Sequence, residues 1–219
     1  MCKITKKAIV PMMVVVFYLI YLYVLMAYFW QNGWVIRGSE LTASNLKLRF
    51  LFDFAGYLVM VFVLILVTVV QEKSTKSLGL TSQNNYLTGG LLLLYLAMFV
   101  GNQDFTLKGF YQAFFYLGVV AFSEEVIFRG YLYGKIEKEY GFLSGVIISG
   151  IFFGVVHAFL PSIMENASIG VLVREMLSEV IGQGILGGAV FVILYKKSGT
   201  LYVPILVHGL INYSGVLLN

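Results

Sequence analysis

The sequence predicts an all-α protein, a polytopic bundle of about seven transmembrane helices, and three observations predict it. Of the 219 residues, 59% are hydrophobic and 12% charged, whereas soluble domains carry roughly 25% charged residues. Mean hydropathy is +0.87, and the apolar residues gather into runs of the length a membrane helix needs, about 20 residues. The basic residues sit at the ends of those runs, where they set topology and form no aromatic-interleaved patch for nucleic acid. A water-soluble domain is excluded, and no nucleic-acid partner is expected despite a formal net charge of +4.

The elements follow in order. Ala8–Trp30 comes after Lys3, Lys6 and Lys7; it is longer than a signal-peptide core and has no small-residue cleavage site, so it reads as the first helix. Cys2, the only cysteine, allows no internal disulfide and no cysteine-based metal site. Residues 31–50 form the longest polar connection, with room for a short interfacial helix. Leu51–Val70, a polar loop over 71–85, and Tyr86–Val100 complete residues 1–108, which carry no chemical motif. Residues 109–219 supply Gly109–Tyr133, Phe142–Leu160, Ile169–Tyr195 and Leu201–Leu218. An eighth helix results if the Ile169–Tyr195 run is two pieces. The whole chain reads as one integral-membrane domain.

With the N-terminus cytoplasmic, nine lysines fall inside and four basic residues (Arg37, Lys47, Arg49, Lys108) fall outside, in agreement with the positive-inside rule. Many lysines, few prolines and a short chain point to a bacterial plasma membrane. The stretch Gly182–Gly187 spells a dinucleotide fingerprint, but no strand precedes it, and Gly184 with Gly188 reads as a close helix contact. Arg174, Glu175 and Glu179 are expected at the outer interface. Asp53, near the outer end of the second helix, is expected to reach water and is assigned no function.

The informative residues are the polar ones inside apolar runs. Glu124, Glu125 and Arg129 share one run, and each ionisable group there costs on the order of 2.5–3.5 kcal/mol on insertion scales. On an α-helix Glu125 and Arg129 are four apart, the spacing of an ion pair, which leaves Glu124 as the spare carboxylate. The chain has two histidines, His157 and His208, both in membrane runs. A tight turn near Tyr140-Gly141 brings Glu124 and His157 to matching depths, roughly 22 Å along antiparallel helices. Asn212 lies one turn after His208, on the same face. A carboxylate to activate water, a histidine to share its proton and two donors for an oxyanion make a set suited to acyl hydrolysis. The plainer alternative is a set of ion pairs and interhelical hydrogen bonds that lock helices together.

These motifs resemble the CPBP family (CAAX prenyl protease and bacteriocin-processing, or Abi) of intramembrane proteases. Glu-Glu-x-x-x-Arg matches Glu124, Glu125 and Arg129; Phe-x-x-x-His matches Phe153 and His157; His-x-x-x-Asn matches His208 and Asn212. All three occur in the family's order within residues 109–219. The resemblance implies an endopeptidase in which Glu124 activates the hydrolytic water with help from His157. Glu125 and Arg129 would shape the site, and His208 with Asn212 would stabilise the tetrahedral intermediate. No cofactor is favoured; zinc, held by two histidines and a glutamate, is the less favoured alternative.

The expected partners are the lipid bilayer and a small hydrophobic peptide or membrane-protein substrate; nothing in the motifs sets an oligomeric state. Two other classes compete: an immunity or interaction protein of the same fold without essential proteolysis, and a proton-coupled transporter. Against the transporter stand the lack of paired repeat halves and the concentration of all motifs in one half.

Overall fold

The computed structural model describes residues 5–217, and among them every regular element is helical, with no strand. Cys2 lies outside the described residues. Five stretches are long and apolar enough to cross a membrane: Lys6–Gln31, Leu46–Glu72, Asn85–Asn102, Leu107–Met164 and Ile169–Ser198.

The elements are α1 (Lys6–Gln31), α2 (Leu46–Asp53), α3 (Val59–Glu72), α4 (Asn85–Asn102), α5 (Leu107–Phe114), α6 (Phe122–Glu124), α7 (Gly134–His157), α8 (Phe159–Met164), α9 (Ile169–Glu179), α10 (Gly188–Ser198) and α11 (Tyr202–Leu217). Turns of π-helix join α2 to α3, α5 to α6, α6 to α7 and α9 to α10. Two of the expected boundaries change. The second helix begins at Leu46 rather than Leu51, leaving the 31–50 connection only a 3-10 turn at Gly38–Glu40. The sixth run stays helical from Ile169 to Ser198, so it does not split into two. The turn expected near Tyr140-Gly141 is present: Gly141 sits at φ 82°, ψ 175° inside α7, a conformation open to glycine and strained for other residues.

The chain divides into two compact units. The first comprises the segment up to Gly33 together with Ile127–Ile193. Here α1 buries Val15, Leu19, Leu22, Met26 and Phe29, spaced three or four apart along one face, against α7 and α8. Its start is tied to the Gly141 turn: Thr5 N–H donates to the Tyr140 hydroxyl at 2.8 Å and the Thr5 hydroxyl to Glu139 at 3.0 Å. α7 meets the π-helical turn Val180–Gly187 at glycines. A Cβ on Gly150 would stand 2.8 Å from the Gly184 carbonyl oxygen, and one on Gly184 would strike the Gly150 carbonyl. Gly184 is therefore a close helix contact, as its setting suggested. Arg174 is exposed and Glu175 half-buried, 3.6 Å apart.

The second unit comprises Trp34–Val126 and Leu194–Asn219. α11 packs on α4 and on the π-helical turn Phe115–Ala121, with Tyr95 and Tyr213 rings 5.3 Å apart and the Tyr95 hydroxyl donating to the Ala113 carbonyl at 2.7 Å. The 71–85 loop is laced to the start of α11: Leu201 N–H donates to Gly79 O, and the Thr81 and Thr200 hydroxyls donate to Gly199 O and Thr81 O, each at 2.8 Å. Asp53 departs from expectation, since it is fully buried. Arg49 Nε donates to it at 2.8 Å and the Tyr111 hydroxyl at 2.6 Å. The Arg49 guanidinium lies 4.5 Å over the Phe115 ring. Arg49 one turn earlier and α5 alongside close off the water that the position along the helix had promised.

Candidate active site

Glu124 ends the three-residue helix α6, between the π-helical turns Phe115–Ala121 and Glu125–Tyr133. Such turns widen the helix and are frequent at functional sites. Glu124 and Glu125 are consecutive, yet both reach one imidazole. His208 Nδ1 lies 3.0 Å from Glu125 Oε1 and His208 Nε2 lies 3.6 Å from Glu124 Oε2. The Glu125 side chain is fully buried, with His208 8% and Glu124 12% exposed. The first contact is a hydrogen bond; the second is an ion-pair distance. Nε2 is the ring nitrogen turned to Glu124. Glu124 Oε2 is buried and has no hydrogen-bond partner among the described residues. Asn212 stands one turn beyond His208 on α11, half-buried.

Tyr57, in the π-helical turn Phe54–Leu58, also belongs to this neighbourhood. It is within electrostatic reach of both Glu124 and Asp53. Sequence reasoning passed it over. The available signal was a tyrosine four residues after Asp53 in an otherwise apolar run.

The first unit holds the other site residues. Arg129 is 1% exposed, and its guanidinium lies 3.9 Å over the Phe153 ring and 5.3 Å from the Phe191 ring. Stacking on a desolvated aromatic face is worth about 2 kcal/mol, which offsets part of the cost of burying this cation. Gly188 leaves room for it: a Cβ there would come within 3.2 Å of Arg129 Nη2. Phe153 also holds His157. The rings meet edge-on at 4.4 Å, and His157 Nδ1 lies 2.9 Å from the Phe153 carbonyl oxygen. Since a carbonyl only accepts, Nδ1 carries the proton and Nε2 keeps the lone pair of a base. The segment Glu125–Tyr133 that carries Glu125 and Arg129 is π-helical rather than α-helical.

The structure thus brings Glu124, Glu125 and His208 together in the second unit, and Arg129, Phe153 and His157 together in the first. Among the described residues no group of three or more His, Cys, Asp or Glu is placed to hold a metal ion. His208 and His157 each commit Nδ1 to a protein acceptor.

Residues 106–214 match the family model for Rce1-like type II CAAX prenyl endopeptidases. The matched region runs from the N-cap of α5 through α11 and contains every residue named in the three motifs. No curated protein and no solved structure matches the chain.

Proposed function

From the match of residues 106–214 to the family model for Rce1-like type II CAAX prenyl endopeptidases, we propose that the chain is a glutamate-dependent intramembrane protease. Its substrate is a small hydrophobic or membrane-associated peptide. The observation that carries the reading is the single imidazole of His208 between two carboxylates in unlike settings. Glu125 is fully buried and hydrogen-bonded to Nδ1 at 3.0 Å, whereas Glu124 is 12% exposed and stands 3.6 Å from Nε2, beyond hydrogen-bond distance.

In the proposed mechanism Glu124 takes a proton from a water as the water oxygen attacks the scissile carbonyl carbon. The carbonyl becomes an oxyanion, held by His208 Nε2 and the Asn212 amide. Nε2 can donate only when the Glu125–His208 pair carries a shared proton, so Glu125 sets the charge state of the oxyanion site. As the C–N bond breaks, the leaving amine receives the proton from Glu124. Arg129 and Phe153 fix the orientation of His157. General acid-base assistance of this kind contributes about 10²–10⁴-fold, and oxyanion donors about 10²–10³-fold each.

The proposal extends to topology. Leu107–Met164 would be roughly 87 Å as one straight helix, nearly three times a hydrocarbon core of about 30 Å, and it is interrupted at Gly141. Counting it as two spans and α11 as one gives seven, with the N-terminus cytoplasmic and the C-terminus outside. The basic-residue distribution supports that orientation and a bacterial plasma membrane.

The test is cleavage of a quenched fluorescent hydrophobic peptide by the purified protein in lipid vesicles, after thorough chelation. Cleavage by the wild type and none by Glu124→Gln is expected. Cleavage that disappears on chelation and returns with zinc would overturn the metal-free mechanism.

A further inference from the structure

α2 and α5 begin side by side in the second unit, and their first two turns enclose a cavity of about 420 Å³. Leu46 and Phe50 form one wall, Leu107, Phe110 and Phe114 the other, with Tyr111 beside them. The aromatic walls stay open to the surroundings, Phe50 at 45%, Phe110 at 54% and Phe114 at 43% exposure. One charged residue lines the groove, Lys47 in the first turn of α2. It makes no ion pair or hydrogen bond among the described residues. Lys108, in the first turn of α5, differs, because it lies within electrostatic reach of Asp104. The start of α5 carries the Asp104 carboxylate, which accepts from Thr106, so Lys47 is the groove's unanswered positive charge.

We infer that this groove is a binding site for an anionic phospholipid, independent of the protease reading. Its lining offers one unanswered cation, Lys47, which suits a phosphodiester headgroup with net negative charge. Its body is an aromatic channel about 10 Å long, the rise from Leu107 to Phe114, which suits the upper part of an acyl chain. A zwitterionic lipid fills the same apolar walls but brings no net charge to Lys47. Charge therefore selects the headgroup, and the apolar walls hold the chain whatever the headgroup. The chain rests beside Tyr111, whose hydroxyl holds Asp53 at the end of α2.

The experiment places a tryptophan in the groove with Phe110→Trp and measures quenching by brominated phosphatidylglycerol and brominated phosphatidylcholine in vesicles of equal brominated content. The signal of Trp30 and Trp34, taken from the protein without the substitution, is subtracted. The anionic lipid should quench at about fivefold lower mole fraction, the equivalent of one basic residue's attraction to an anionic surface. Lys47→Gln in the same background should bring the ratio to about one. Equal quenching by the two lipids, or a ratio that Lys47→Gln leaves unchanged, overturns the inference. So does the absence of quenching by either, which would mean that protein covers the groove. If Phe110→Trp does not fold, the wild-type protein in detergent gives the same answer: phosphatidylglycerol should raise its melting temperature more than phosphatidylcholine does. Lys47→Gln should abolish that difference, and equal shifts in the wild type overturn the inference.

Discussion

Glu124 and Glu125 are neighbours with opposite prospects. Glu124→Gln keeps size and polarity while removing the proton acceptor, so turnover should fall by 10²-fold or more with the melting temperature near wild type. Unchanged cleavage by this variant would remove Glu124 from the base role. Glu125 is a different case, because it is fully buried and bonded to a nearly buried imidazole. Removing one partner of such a pair costs about 3–5 kcal/mol, so Glu125→Gln and His208→Gln should each lower stability in detergent. The double variant should lose clearly less than the two losses combined; strictly additive losses would show that the two side chains do not act on each other. The residue types of the site were legible in the three motifs, but the partner of Glu125 was not. His208, which bonds it, lies 83 positions away, beyond the reach of any helix-spacing rule. Asp53 illustrates the same limit, since the tyrosine that covers it comes from α5, 58 positions on.

At the scale of elements, hydrophobic runs located the helices well because a membrane solvent demands them, while their ends depend on local capping that apolarity does not report. The start of α5 shows this. The Thr106 hydroxyl accepts from Gly109 N–H at 3.3 Å and donates to Asp104, which also accepts from Thr106 N–H at 3.1 Å. These bonds hold the Asp104 carboxyl below the usual carboxylate range. A lowered folded-state value means that the stabilisation is present above the unfolded value of about 3.9 and lost as pH falls through the folded one. Asp104→Asn should therefore flatten the part of the acid denaturation limb below about pH 4 that this carboxylate contributes, and Thr106→Ala should cost about 1 kcal/mol at neutral pH. An acid limb identical in wild type and Asp104→Asn would remove this capping role. Glycine marks the other decisive element contact. Because a Cβ on Gly184 strikes the Gly150 carbonyl, Gly184→Val should lower stability by 1–3 kcal/mol or more, read as an earlier melt. A wild-type melt would show that the two helices can separate freely at that point.

For the whole molecule, the decisive question is how many times the chain crosses the bilayer, because parity fixes which side each loop faces. Length and composition alone give five spans, and the physical argument gives seven. Both odd numbers put the two ends on opposite sides, so a C-terminal reporter cannot separate them; the 161–168 segment can. If Leu107–Met164 is two antiparallel spans meeting at Gly141, that segment emerges outside. If it is one span, the segment emerges on the cytoplasmic side. In protein with Cys2 replaced by serine, a cysteine at the exposed Glu165 should react with a membrane-impermeant maleimide only from outside. A cysteine at exposed Ser44 should behave the same way, and one at exposed Ser82 the opposite way. Labelling of Glu165→Cys from the cytoplasmic face, or from neither side while the two controls label normally, would reject the seven-span count.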